Sequence, residues 1–238
     1  MRFAIQLCGV LIGLPLELLI IAAMLRGGYR RFPLIFVYTI ADFLTTVVEL
    51  PSGLGYVRSM PWSADAYAAV YWLDEGILQV LVYAVVMSLI YQATGRLRPR
   101  RIVRASLIAG AILFAGISFL IHWNPALNTG SFMTPWTRDL NFCSAILDLA
   151  LWALLIASRE KDHRLLLLSG GLGILFTGEA IGESARELAM RSHSRPISLL
   201  GNSLIMLTNL LFLYIWWQAL RRAPVREADP VKGRRPHD

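Results

Sequence analysis

Eight carboxylate side chains lie inside long apolar stretches of this chain, where an ionised acid is difficult to accommodate. They are Glu17, Asp42, Glu49, Asp74, Glu75, Asp148, Glu179 and Glu183. Moving one charge to the centre of a bilayer costs about 2.5–3.5 kcal/mol on insertion scales. We therefore expect these acids to face one another inside a helix bundle, to pair, or to hold a proton. Such a group can bind a cation, a proton or an amine.

Helical spacing brings further polar side chains to the same faces. Residues three, four or seven apart share a helix face, so Glu179 is expected beside Glu183, with Arg186 as the nearest predictable cation. Asn202 and Asn209, seven apart, would add amide groups. The predicted ligand- or ion-binding site comprises Asp42, Asp74, Glu75, Gln79, Asp148, Glu179, Glu183, Arg186 and Asn202.

The depth of the acids within their stretches predicts where this site opens. At about 1.5 Å per helical residue, Asp42 lies about 15 Å from the inner edge of its stretch. Asp74 and Asp148 lie about 10–12 Å below the outer edge, and Glu17 alone falls in the inner half. The pattern predicts a negatively lined cavity that opens to the outside.

The same acids also have a purely structural explanation. Glu49 and Glu183 are near enough to the outer edge to reach headgroup water. The deeper acids can be neutral and hydrogen-bonded to a neighbouring helix, as buried carboxyl groups often are. Catalysis by a carboxylate pair on a lipid-linked substrate is a third, smaller possibility.

Seven apolar stretches must position these residues. They cover roughly residues 4–25, 32–50, 67–92, 102–123, 140–157, 165–190 and 197–220, and residues 124–139 read as a loop. Apolar residues make up 56% of the chain and charged residues only 16%, compared with about 25% in soluble proteins. We predict an all-α integral membrane bundle of seven transmembrane helices over residues 1–220, followed by a basic, disordered cytoplasmic tail over residues 221–238.

The basic residues predict the orientation of this bundle. Of the 23 Lys and Arg residues, 17 cluster at alternate ends of the stretches. Since such clusters remain in the cytoplasm, we expect the N-terminus outside and the C-terminus inside a bacterial inner membrane. The formal charge of +7 then faces anionic lipid headgroups, so no nucleic-acid partner is expected.

Small residues predict close helix packing. Gly9 with Gly13 and Gly178 with Gly182 are pairs four residues apart, the spacing that lets helix backbones approach. Packing inside the bundle is the simplest explanation, and a hinge or a contact with a second copy are the alternatives.

Several cofactor classes are disfavoured by the sequence. The four histidines lie at the ends of stretches or in loops, so neither haem ligation nor a zinc helix is indicated. The only lysines, Lys161 and Lys232, lie outside the last stretch, which leaves no site for a retinal Schiff base. We expect no cofactor.

Two short runs carry a family resemblance. The runs Tyr29-Arg30-Arg31-Phe32-Pro33 and Tyr71-Trp72-Leu73-Asp74-Glu75 resemble a group of uncharacterised bacterial multi-spanning proteins. The resemblance covers roughly residues 29–101. It implies a membrane architecture and carries no activity.

The function that these observations favour is binding or passage of a small cation, proton or amine through the outward cavity. The alternative is a non-catalytic helical subunit or assembly factor of a larger membrane complex, with a second copy of the chain or another membrane-complex subunit as its partner. In that case the acids would be structural and the glycine faces would carry the contacts.

Overall fold

A computed structural model describes residues 2–53, 64–94, 100–122, 129–157 and 162–221. Within these ranges the chain forms seven α-helices, one short 3-10 turn at Gly28–Arg30 and no β-strand, which confirms the all-α class. The helices are α1 Arg2–Leu25, α2 Pro33–Gly53, α3 Ala64–Ala93, α4 Arg100–His122, α5 Thr129–Ala157, α6 His163–Ser192 and α7 Arg195–Arg221. The predicted disordered tail after α7 lies outside the described residues.

One predicted boundary is wrong. Residues 124–139 were expected to form a loop because Pro, Gly, Ser and Asn are frequent there, yet α5 already begins at Thr129. Trp136, inside this extension, packs edge-on against Phe119 of α4, with 5.7 Å between the ring centroids. Packing of this kind stabilises helices whose composition alone does not favour them.

One end of the bundle collects the basic residues, and we call it the basic end. It carries Arg26, Arg30, Arg31, Arg164 and Arg221. Arg31, before α2, forms an ion pair with Asp162, before α6, at 2.7 Å. Gln92, near the end of α3, donates to the carbonyl oxygen of Arg31 at 3.2 Å. These contacts place the starts of α2 and α6 beside the end of α3.

Asp162 also determines where α6 begins. Its carboxylate accepts hydrogen bonds from the backbone N–H groups of Arg164 and Leu165. Asp is a preferred N-cap because it satisfies donors that the first helical turn leaves unpaired. One side chain therefore caps α6 and ties it to the start of α2.

Six helices form a closed ring. In order around it, α1 packs on α2, α2 on α3, α3 on α5, α5 on α6, α6 on α7 and α7 back on α1. Helix α4 lies outside the ring against α3 and α5. Tyr83 of α3 fixes it there by donating its hydroxyl hydrogen to the carbonyl oxygen of Ala111 at 3.0 Å.

The main apolar core fills the half of the ring nearest the basic end. Trp216 of α7 is its largest buried side chain, with its ring centroid 4.4 Å from Phe212 and 5.7 Å from Tyr38 of α2. Its indole N–H donates to the carbonyl oxygen of Leu168 in α6 at 3.0 Å. These aromatic contacts close the interior of the ring at that end.

The outer surface of the bundle is apolar. Leu120, Leu149 and Leu200 are 72%, 69% and 69% exposed. In the described residues, four helices have apolar segments long enough to cross a bilayer: Gly76–Ala93, Trp136–Ile156, His163–Ala189 and Arg195–Arg221. Shorter apolar segments occupy the other three, Gly9–Leu25, Pro33–Val48 and Ile108–His122. An apolar exterior on long apolar helices is typical of a membrane protein.

The glycine faces are used inside the bundle, as the simplest explanation predicted. Gly178 faces Thr208 of α7, and a Cβ atom on Gly182 would lie 3.0 Å from the carbonyl oxygen of Gly201. On α1, a Cβ atom on Gly9 would lie 2.9 Å from the sulfur of Met206. Both glycine-containing faces therefore pack against α7.

We expect Gly182→Ala to destabilise the bundle by about 1–3 kcal/mol, because the new methyl group meets Ile205 and backbone with no room to move. Gly110→Ala is the matched control, since a Cβ atom there has no neighbour within 4 Å on the exposed face of α4. Thermal unfolding of the purified protein in detergent measures both. Equal melting temperatures for the two variants would contradict close α6–α7 packing.

Candidate functional site

A cavity lies in the ring interior, next to the apolar core and away from the basic end. Its volume is about 210 Å³, room for about seven water molecules. Helices α2, α3, α6 and α7 form its walls. The lining residues are Tyr38, Asp42, Leu78, Gln79, Val82, Leu175, Phe176, Glu179, Ile205, Met206 and Asn209.

The cavity has an apolar floor on the side of the basic end. Tyr38, Val82 and Phe176 line the cavity and also belong to the buried core. Behind them lie Trp216 and Phe212, both fully buried. The cavity is therefore separated from the basic end by the buried apolar core.

Two of the predicted acids face this cavity from different helices. Asp42 comes from α2 and Glu179 from α6. Glu17 of α1 and Asp74 of α3 are close enough to interact electrostatically with Asp42, as is Glu179. Four carboxyl groups from four helices thus share the ring interior. Like charges gathered in one interior favour a bound cation or shared protons.

Two neighbouring threonines of α2 position the flanking acids. The hydroxyl of Thr45 donates to Asp74 at 2.9 Å, and the hydroxyl oxygen of Thr46 lies 3.4 Å from Glu17. Consecutive helical residues point about 100° apart, so adjacent threonines can reach the helices on either side. Helix α2 therefore links the acids of α1 and α3 to Asp42.

Glu179 is held in place by a neighbouring helix that does not line the cavity. Asn141 of α5 donates its side-chain N–H to Glu179 at 2.9 Å. This bond fixes the orientation of the carboxylate. Asn141 was not anticipated from the sequence, because a single amide within the stretch 140–157 does not show which neighbouring helix it faces.

Two polar atoms of the cavity wall have no hydrogen-bond partner within the protein. They are Oδ2 of Asp42, an acceptor, and Nε2 of Gln79, a donor, and both are buried. Oε2 of Glu17 is in the same situation. A buried group without a partner costs about 1–3 kcal/mol, so folded proteins rarely leave such atoms unsatisfied without a reason. A ligand in the cavity would supply the missing bonds.

Asp148 does not belong to this cavity, contrary to the expectation that it would face the other acids. It is buried between α5 and α6, where it accepts a hydrogen bond from Ser169 at 2.7 Å. Oδ2 lies 3.4 Å from the position of a Cβ atom on Gly173. The spacing of residues in the sequence does not show which neighbour the helix face of Asp148 meets.

The remaining predicted residues are not brought to the cavity by the structure. Glu183 and Arg186 form the expected pair at 2.6 Å, but both side chains are largely exposed. Asn202 is half-buried on α7 and does not line the cavity, whereas Asn209 does. Seven helical residues preserve a face but advance about 10 Å, which explains the difference. Glu75 lies on α3, and its side chain is outside the described part.

Some cavity-lining residues have no distinctive pattern in the sequence, whereas the depth of Glu17 could have shown that it lies near Asp42. Tyr38, Phe176 and Met206 look like ordinary core residues in the sequence. Glu17 was set apart as lying in the inner half, yet at about 12 Å from the end of its stretch it is nearly level with Asp42. Comparing depths between adjacent stretches would have grouped them.

No similarity to a known protein identifies this site. The chain matches no protein-family model, no curated protein and no solved structure. Among the side chains that the structure describes, no three His, Cys, Asp or Glu residues are placed to hold a metal ion.

We expect Ser169→Ala to destabilise the protein by about 1–3 kcal/mol, because Asp148 would lose its hydrogen-bond donor while remaining buried. Ser184→Ala on the same helix is the control. Its exposed hydroxyl bonds only the carbonyl oxygen of Ala180, so the change should stay within about 0.5 kcal/mol. Thermal unfolding compares the two, and a structural role for Asp148 is rejected if they are equally stable.

Proposed function

We propose that this chain is a seven-span, multi-pass protein of a bacterial inner membrane that binds or carries a small cation, proton or amine in its interior cavity. The observation that carries the proposal is the cavity itself, with Asp42 on one wall and Glu179 on another. Ionisable groups at this depth in a membrane bundle are candidates for function by default.

The proposed orientation follows from the basic end. Clusters of Arg beside membrane spans remain in the cytoplasm, so the basic end would be cytoplasmic. The cavity then lies on the periplasmic side of the apolar floor. In this arrangement a cation enters from the periplasm, and any passage onward requires movement of Tyr38 and Phe176. The resemblance of residues 29–101 to bacterial multi-spanning proteins agrees with this location.

Each polar group of the site has a distinct role in the proposal. Asp42 makes the direct contact with the cation, since one of its oxygens has no partner within the protein. Glu179, oriented by Asn141, balances the charge from the opposite wall. Glu17 and Asp74 add negative potential without lining the cavity. The rings of Tyr38 and Phe176 offer aromatic faces that suit an organic cation.

The alternative, a purely structural subunit, predicts that the glycine faces contact a partner protein. The glycine faces, which would have carried contacts to a partner, are covered by α7 within the bundle. Exposed apolar side chains are explained by contact with lipid.

We expect Glu179→Gln and Asp42→Asn to weaken binding of alkylammonium ions at least about tenfold, because each removes a charge next to the ligand. Glu183→Gln, one turn along α6 and exposed, should bind normally. Isothermal titration and ligand-induced thermal shift of purified variants, with Na⁺ and K⁺ in the same panel, measure this. Unchanged binding in all three variants, together with a stable co-purifying partner, would instead favour the subunit alternative.

The topology has its own test. A fluorescent protein fused after residue 221 should fluoresce, and alkaline phosphatase at the same site should be inactive, because the basic end is expected in the cytoplasm. Reporters in segment 54–63 should give the reverse pattern. Phosphatase activity after residue 221 would invert the proposed orientation.

A further inference from the structure

Two unsatisfied atoms on adjacent helices limit what the cavity can hold. Oδ2 of Asp42 on α2 needs a hydrogen-bond donor, and Nε2 of Gln79 on α3 needs an acceptor. Both residues line the same cavity, yet these two atoms are not bonded to each other. A ligand that fits this wall therefore carries a hydrogen-bond donor next to Asp42 and a hydrogen-bond acceptor next to Gln79.

Simple cations do not meet both requirements. A metal ion or an alkylammonium ion satisfies Asp42 but offers nothing to the N–H of Gln79. A water molecule can donate to Asp42 and accept from Gln79 at the same time, but it leaves the charge of the acid uncompensated. An organic ammonium that also carries an acceptor atom satisfies both groups and the charge.

The rest of the lining fits a small carbon skeleton. Leu78, Val82, Phe176 and Met206 provide apolar and polarisable surface beside the polar atoms. A volume of about 210 Å³ holds roughly seven non-hydrogen atoms if each needs about the space of one water. The cavity is thus matched to a small organic molecule.

The acids of the site also restrict the acceptor. A carboxylate or phosphate on the ligand would be repelled by Asp42 and Glu179, which face the cavity from two walls. The acceptor must then be neutral, such as an ether, a hydroxyl or an amide carbonyl oxygen. Zwitterionic amino acids are disfavoured by this argument.

We infer that the ligand is a small protonated amine bearing a neutral oxygen acceptor, with its ammonium group on Asp42 and its oxygen on Gln79. This inference rests on the proposed function and narrows it to one chemical class. Gln79 becomes the residue that distinguishes such amines from simple alkylamines of equal size.

Matched probes test the assignment. 2-Methoxyethylamine and n-butylamine have the same number of non-hydrogen atoms, and an ether oxygen in the first, which can only accept hydrogen bonds, replaces a methylene group of the second. We expect the wild-type protein in detergent to bind 2-methoxyethylamine about fivefold more tightly. The neutral analogue 1-methoxypropane should not bind measurably, and Asp42→Asn should bind neither amine.

The decisive variant is Gln79→Leu, which keeps the size of the side chain and removes the donor. It should retain binding of n-butylamine, and the ratio of the two dissociation constants should change at least about tenfold in favour of n-butylamine. Asn202→Leu, an amide change on α7 outside the cavity, should leave the ratio unaltered. If Gln79→Leu does not fold, Gln79→Met serves the same purpose.

The outcomes separate the inference from the proposed function. Amine binding that depends on Asp42 but shows the same ratio in wild type and Gln79→Leu overturns the inference and leaves the proposed function intact. Binding of Na⁺ or K⁺ without any amine does the same. Absence of binding for every cation tested overturns both.

Discussion

A carboxyl group that cannot reach water must find a polar neighbour, and this requirement organises the bundle. The outer faces are occupied by large apolar residues, so the ring interior and the helix–helix contacts are the places left for acids. Most of the acid contacts join different helices: Thr45 with Asp74 links α2 to α3, Asn141 with Glu179 links α5 to α6, and Ser169 with Asp148 links them again. The acids therefore help to specify which helices are neighbours, in a bundle where apolar contacts with lipid and protein are otherwise similar.

The ring is divided along its axis into a packed half and a polar half. Near the basic end, Trp216 fills the interior and Gly171 makes room for it, since a Cβ atom there would lie 2.9 Å from the indole ring. Beyond this level the large aromatic side chains stop and acids and amides replace them, which leaves a cavity. The same α6–α7 contact that relies on Gly178 and Gly182 thus holds the wall that carries Glu179 and Asn209. Close backbone packing and an open interior are compatible because they use adjacent faces of α6.

The sequence predicted the helices better than the site, for physical reasons. Apolar stretches of membrane length depend on composition alone, so all seven helices were located, and only the start of α5 was wrong. Depth along a helix follows from counting residues, and among the predicted site residues Asp42, Gln79 and Glu179 line the cavity. Rotation about the helix axis depends on which helices are neighbours, and that information is not local. This is why Asp148 and Asn202 were assigned to the cavity, and why Asn141 and Tyr38 were missed.

Burial alone does not separate a structural acid from one that binds a ligand. Asp148 is 3% exposed and accepts a hydrogen bond from Ser169, so its environment already stabilises it. Asp42 has a buried oxygen without a partner, three acids nearby and a cavity beside it. The first arrangement is complete as it stands, whereas the second becomes favourable only when a cation or a proton is added. The unsatisfied N–H of Gln79 adds a second requirement to that of charge, because it needs a hydrogen-bond acceptor atom that a bare cation does not have.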